Sequence, residues 1–276
     1  GKTLDERLIE EITKEEQIDR LRGNVFRHTS GNCAVIIDGF SEGAVELTGF
    51  SAFEYPISCK SAKSAYFVGG KDEFERFKKE LANYASKLVV GDPLDLETEV
   101  GYVDKDLLDQ VSEKVEELKI LGQLEIVHSS RRINEFQATP LILATDDPES
   151  PMLTKENSTY ILTLKRVDSL EQAVDECNIP GFKERLAVSI ITNRADIELE
   201  SAVLNLRCDQ CHVNKLSRFL HPPLHQGVSY PDRMTSSRSI YLGDKIKKMT
   251  LPQDELKKEH TVLFIDDDKE IAENLS

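Results

Sequence analysis

Cys59 is the residue whose setting best suits chemistry among the five cysteines Cys33, Cys59, Cys177, Cys208 and Cys211. It stands in Phe53-Glu54-Tyr55-Pro56-Ile57-Ser58-Cys59-Lys60-Ser61-Ala62-Lys63, after a helical pattern and before a strand pattern. Connections of that kind display reactive side chains on rigid flanks. A cysteine acts as a nucleophile through its thiolate, which nearby cations favour, and Lys60 and Lys63 are close in sequence. The alternative is a packed, inert thiol, since cysteine is among the most often buried residues.

Two other groups carry ligand-type side chains. Cys208-Asp209-Gln210-Cys211-His212 is a single CxxC followed by His. Redox, haem and zinc sites all use such a run. A structural zinc site takes four ligands, however, and no second CxxC is present. Haem attachment belongs to exported proteins. The run is read as two unrelated cysteines near a turn. His221, His225 and Asp232 crowd a proline-rich loop, a weak basis for a metal, and no metal site is expected. Neither GxGxxG nor a Walker-type loop occurs, so no phosphate cradle is predicted.

The elements that must position these residues alternate. Residues 3–21 have helical spacing, with Leu4, Leu8, Ile9 and Ile12 on one face. Ala34-Val35-Ile36-Ile37 is a short continuous apolar run, as in a strand buried on both faces. Helical patterns follow over residues 41–53, 71–88, 105–121, 169–177 and 196–206, with Ser169 as an N-cap and Glu171 in the first turn. Strand patterns fall at 65–68, 124–127, 139–145, 160–164 and 188–192, and Asp146 to Pro151 is a loop. Such alternation predicts an α/β fold with a mainly parallel sheet covered on both faces. Beyond Ile240 the chain turns charged, with one apolar island, Val262-Leu263-Phe264-Ile265, expected to pair as a strand on a partner.

Composition bounds the function. The chain has 276 residues, 39% hydrophobic and 31% charged, enough for a sizeable core. A net charge of -15 repels phosphate backbones and anionic membranes, so neither nucleic acid nor membrane is an expected partner. No apolar run reaches a membrane-spanning length of about 18 residues. The N-terminus lacks a signal-peptide pattern and a starting Met, and is read as processed or as part of something longer. An odd, sparse set of cysteines suits a reducing compartment, so an intracellular location is expected.

The order of features carries a resemblance. Ser30-Gly31-Asn32 precedes the first strand, and Ala52-Phe53-Glu54-Tyr55 leads to Cys59. Val90-Gly91-Asp92-Pro93, Thr139-Pro140, Asp147-Pro148 with Met152 and Glu156, Leu186-Ala187-Val188-Ser189-Ile190, Val213-Asn214, and Pro223 with Gly227 follow in turn. This series over roughly residues 23–240 resembles the catalytic half of the aldehyde dehydrogenase superfamily. Ala52-Phe53-Glu54-Tyr55 and Asp147-Pro148 look most like the pyrroline-5-carboxylate (glutamate semialdehyde) dehydrogenase branch. The resemblance implies a doubly wound catalytic domain with a C-terminal oligomerisation tail. It divides the chain into a helix over 1–22 from the edge of a cofactor domain, the catalytic-like domain over 23–240, and a charged tail with one strand over 241–276. It also implies Cys59 as the nucleophile, Glu156 as the glutamate that bonds the nicotinamide ribose, and NAD or NADP as cofactor of an active enzyme.

The departures from the family are equally specific. Pro56-Ile57 stand where the family has Gly-Gln, and Arg27 stands where it has its general-base Glu. Ser158-Thr159-Tyr160 replaces Phe-Gly-Pro, and Pro223-Leu224-His225-Gln226 replaces Pro-Phe-Gly-Gly. An Arg keeps its protons and cannot serve as a base. The family's front half, which supplies most of the nucleotide-binding domain, has no counterpart here. The expectation is therefore a degenerate subunit, a pseudoenzyme inactive alone, acting in a homo- or hetero-oligomer through its tail, in cytoplasm or mitochondrial matrix. The alternative is the catalytic portion of an NAD(P)-dependent aldehyde dehydrogenase whose cofactor-binding half is separate.

Overall fold

A computed structural model describes residues 32–54, 56, 58–157, 159–180, 185–217 and 239–242. All of these except Ser239 and Ile240 belong to one compact unit. The helix expected over 3–21, the strand over 262–265, and Arg27, His221, His225 and Asp232 lie outside the described residues.

In chain order the elements are β1 (Cys33–Asp38), α1 (Glu42–Phe53), β2 (Ala62–Val68), α2 (Lys71–Ser86), α3 (Lys105–Ile120), β3 (Glu125–His128), β4 (Arg132–Asn134), β5 (Gln137–Ala138), β6 (Leu141–Ala144), α4 (Pro151–Thr154), β7 (Ile161–Val167), α5 (Leu170–Cys177), β8 (Ala187–Ile191), α6 (Ile197–Asn205) and β9 (Gln210–Val213). Ser239–Leu242 is a further strand, β10. Seven strands lie in the order β9-β8-β1-β2-β7-β6-β3, with β4 and β5 forming a separate hairpin. Neighbours from β9 to β6 run parallel, and β3 runs antiparallel to β6 at the edge. The chain leaves β1 towards β2 and leaves β8 towards β9. The sheet is therefore wound outward in both directions from its centre.

Burial explains the strands. Every residue of β2 and β8 is buried, as is β1 apart from Asp38, so an unbroken apolar run replaces the usual alternation. Val35, Ile37, Ala65 and Phe67 pack on one face with Phe53 of α1 and Phe77 and Leu81 of α2. Tyr66 faces the other side, where its hydroxyl donates to the Glu176 carbonyl of α5 at 3.4 Å. The helices start where polar caps allow: Ser41 accepts from Ala44 N–H, Ser169 from Gln172 N–H and Asp196 from Leu199 N–H. Gly39, at φ +84, turns the chain from β1 into α1.

Three local features differ from the sequence reading. No helix separates β3 from β6, so the chain can return antiparallel instead of needing a parallel crossover. Pro151 starts a one-turn helix instead of ending a loop, because its fixed φ suits the first helical position. Cys211 and His212 belong to β9, where adjacent residues point to opposite faces, so they cannot share a ligand from one side.

Candidate active site

Cys59 lies in the connection from α1 to β2, three residues before the strand begins, and is exposed. Its loop is anchored through the backbone. Ser61 N–H donates to Ser58 O at 3.0 Å, closing a turn, and Lys60 N–H donates to Ser58 Oγ at 3.2 Å. The Ser217 hydroxyl donates to Lys60 O at 2.8 Å, and the Cys33 thiol donates to Cys59 O at 3.3 Å. Side chains below hold the loop, and the Cys59 side chain faces solvent.

Both neighbouring lysines are turned inward. Lys60 is 4% exposed and donates through Nζ to Gln210 Oε1 at 2.6 Å. Lys63 is 2% exposed and donates to Pro56 O at 2.5 Å and Thr159 O at 3.0 Å. They enter a strand buried on both faces, so their ammoniums become internal fasteners instead of surface charges beside the thiol. Burial pulls Lys63 down to about 7, against the opposing influence of Cys33 and Glu156. A neutral amine still has two N–H donors, so both carbonyls keep their partner when the proton leaves.

Glu156, partly buried, follows α4 and precedes β7. Because β2 and β7 are parallel neighbours, Cys59 and Glu156 sit on loops at the same end of the sheet. Lys63 ties the two loops together, since Pro56 belongs to one and Thr159 to the other. Asn32, ahead of β1, adds a bond from its amide nitrogen to Thr154 O at 2.8 Å.

Arg185, ahead of β8, is 1% exposed and was not singled out in the sequence. Its guanidinium donates to Cys177 O, Asn32 O, Ser64 Oγ and Tyr66 Oη at 2.7–3.0 Å, and to Asn32 Oδ1 and Leu153 O at 3.3 Å. It thereby joins the starts of β1, β2 and β8 to the turn before Glu156. Nothing in the sequence marks it, because a surface Arg ahead of an apolar run has the same spelling. Cys33 was also unmarked; its pairing with the Cys59 carbonyl is a long-range contact.

The remaining ligand-type residues do not assemble. Cys208, Cys211 and His212 are buried, and Cys208 Sγ donates to Gln210 O at 3.2 Å. Burial pulls His212 down to about 4, aided by Lys60 and Lys215. Among the described residues no group of three or more His, Cys, Asp or Glu could hold a metal. A cleft of about 270 Å³ lined by Asp38, Ser41, Thr192 and Asn214 lies at the opposite end of the parallel strands from Cys59, so it is not part of this site. Among the described residues no helix is long and apolar enough to cross a membrane.

Comparison with known proteins agrees with this architecture. Residues 31–229 match the aldehyde dehydrogenase family. Human retinaldehyde dehydrogenase 3 is 25% identical over 172 residues, covering 62% of this chain and 33% of that enzyme. Lactaldehyde dehydrogenase from Escherichia coli superposes with a TM-score of 0.64 at 18% identity, covering 75% of this chain and 43% of the other. Glyceraldehyde-3-phosphate dehydrogenase GapN from Methanocaldococcus jannaschii, complexed with NADP, gives 0.59 at 23% identity, covering 70% and 41%. The chain thus spans a third of the curated relative and under half of each structure. With the match extending over most of its length and the sheet wound in the same fold, the chain belongs to the aldehyde dehydrogenase family.

Proposed function

We propose that this chain is a degenerate aldehyde dehydrogenase-like subunit that keeps an aldehyde-reactive thiol at Cys59, does not turn over alone, and works within an assembly. The observation supporting the reactivity is the exposed Cys59 side chain on a loop whose backbone is anchored from below. A thiolate there adds to the carbonyl carbon of an aldehyde. The carbon–sulfur bond forms, the carbonyl electron pair moves to oxygen, and that oxygen takes a proton to give a thiohemiacetal. Arg27, at the position that matches the family's general base, cannot accept a proton from water, which argues against further turnover. Ala52-Phe53-Glu54-Tyr55 and Asp147-Pro148 favour aldehydes of the glutamate semialdehyde type. Assembly through the tail over 241–276, with a second copy or another subunit, completes the proposal.

The test is alkylation of Cys59 in the full chain, followed by peptide mapping, with and without a small aldehyde. The expected result is concentration-dependent protection by the aldehyde, no reduction of NAD or NADP, and an oligomer on sizing that persists in Cys59→Ser. Unprotected alkylation removes the reactivity claim. Formation of NADH or NADPH removes the claim of no turnover, and a monomer removes the assembly role.

A second reading, the catalytic portion of an NAD(P)-dependent dehydrogenase, is favoured by the lysine that ties the loops of Cys59 and Glu156. Glu156 would accept the ribose hydroxyls of the nicotinamide nucleotide. The sequence has no glycine-rich cradle for the pyrophosphate, so the chain fits that cofactor only in part and a separate half would hold the rest. When bound, the nucleotide would accept the hydride. Cofactor reduction on adding such a half, abolished by Cys59→Ser and with a raised cofactor KM in Glu156→Gln, is the result this reading expects. No reduction in that mixture counts against it.

A further inference from the structure

We propose that Cys59 and Cys33 are a hydroperoxide-driven disulfide pair, with Cys59 the thiol that meets the oxidant and Cys33 the buried thiol that resolves it. The pair uses the thiol of the reading above but needs neither aldehyde nor cofactor.

Cys33 opens β1 and is fully buried, beside Ala62 of β2. Its sulfur lies 3.3 Å from the carbonyl oxygen of Cys59. Covalent geometry then keeps the two Cα atoms within about 9 Å of each other. A disulfide takes a Cα separation of about 4.4–6.8 Å. Closure therefore asks Cys59 to rotate its side chain inward and, at the outer bound, asks the backbone at Cys59, the exposed residue of the turn, to move by a few ångströms and give up its carbonyl bond to the Cys33 thiol, while Lys60 and Ser61 stay buried. The contact is long-range in sequence and is not the neighbouring-cysteine arrangement that a motif would reveal.

The surroundings divide the two roles. Cys59 is the exposed cysteine, whereas Cys33, Cys177, Cys208 and Cys211 are buried and shielded from an oxidant in water. Burial pushes the Cys33 thiol up to about 12, so it stays protonated and unreactive at rest. Three groups counter that effect at the same sulfur: the Ala187 backbone N–H bonds to it, and Lys60 and Arg185 act on it as cations. They stabilise negative charge on sulfur at the moment its proton leaves.

The steps balance. The Cys59 thiolate attacks one oxygen of a hydroperoxide; the sulfur–oxygen bond forms, the oxygen–oxygen bond breaks, and the leaving oxygen takes a proton as water or alcohol. Cys33 then attacks the sulfur of the Cys59 sulfenic acid. The sulfur–sulfur bond forms, and the departing hydroxide takes the Cys33 proton and leaves as water. The peroxide is reduced by two electrons and the thiol pair is oxidised by two. The disulfide withdraws Cys59 from solvent before it reaches the irreversible sulfinic state.

The experiment treats the full chain with hydrogen peroxide, blocks remaining thiols by alkylation, unfolds and digests it, and maps the peptides by mass spectrometry. The expected product is a peptide pair linking Cys33 to Cys59 within one chain, released by dithiothreitol. In Cys33→Ala, Cys59 should instead proceed to sulfinic acid. In Cys59→Ser, Cys33 should remain an alkylatable thiol after unfolding, which serves even if the Cys33 variant is poorly folded. The inference is overturned if Cys59 in the unsubstituted chain stays unoxidised, reaches sulfinic acid while Cys33 remains a thiol, or bonds to a different cysteine. None of these readouts uses aldehyde protection, so failure here and failure of the proposed function are separable.

Discussion

Arg185 spreads its donors over acceptors that are all neutral: three backbone carbonyls, an amide and two hydroxyls, with Asn32 contributing two of the contacts. A buried guanidinium of this kind is tolerated only because each donor is used. Arg185→Met would strand those acceptors in a dry interior. A loss of about 3 kcal/mol or more in unfolding free energy is expected from urea titration. The side chain also fixes the turn before Glu156, so the loss should come with faster proteolysis around residues 153–157. Lys63 gives a second prediction. It holds a proton in the unfolded chain up to about 10.5 but in the fold only up to about 7, so between those values folding releases a proton and stability rises with pH. Cys33 acts oppositely above 9, where the unfolded thiol ionises and the folded one, raised to about 12, does not. Unfolding free energy should therefore climb from pH 7 to 9, and Lys63→Met should flatten that climb. An unchanged slope in the variant would assign it to another group. At this scale the sequence showed Cys59, because a cysteine between a helix and a strand is visible as such. It could not show that its lysine neighbours point inward, since that depends on β2 being covered on both faces.

The helices were legible because their evidence is local: apolar residues at spacings of three and four, and a Ser or Asp cap ahead of them. Ser169, expected as a cap, accepts from Gln172 N–H. The central strands were legible as apolar runs. What failed were the β4–β5 hairpin, the turn of helix at Pro151, and β9, all too short to carry a period. The α1–α2 contact was hidden for a different reason, because it rests on an absent side chain. A Cβ on Gly49 would collide with the ring of Tyr84. Gly49→Ala should cost about 1–3 kcal/mol despite the better helix propensity of alanine. Adding Tyr84→Ala should recover part of that cost, a coupling that a double-mutant cycle measures.

For the whole molecule, alternation of elements was enough to give a mainly parallel α/β sheet covered on both faces, and the ordered matches were enough to give the family and, with it, the doubly wound form. The order of strands was not readable, because pairing between distant segments leaves no mark on either one. Ala34 of β1 pairs with Val188 of β8, although β2 reaches β1 after a single helix. That pairing has a cost during synthesis. Until β8 leaves the ribosome, β1, an interior strand buried apart from Asp38, has one row of backbone donors and acceptors unmet, a template for any other extended chain. A nascent chain is thus exposed for most of its length to the wrong partner, and its yield in cells should depend on chaperones that shield that edge. A chain ended before Ala187 should accordingly be recovered as aggregate, whereas one carrying β8, α6 and β9 should stay in solution.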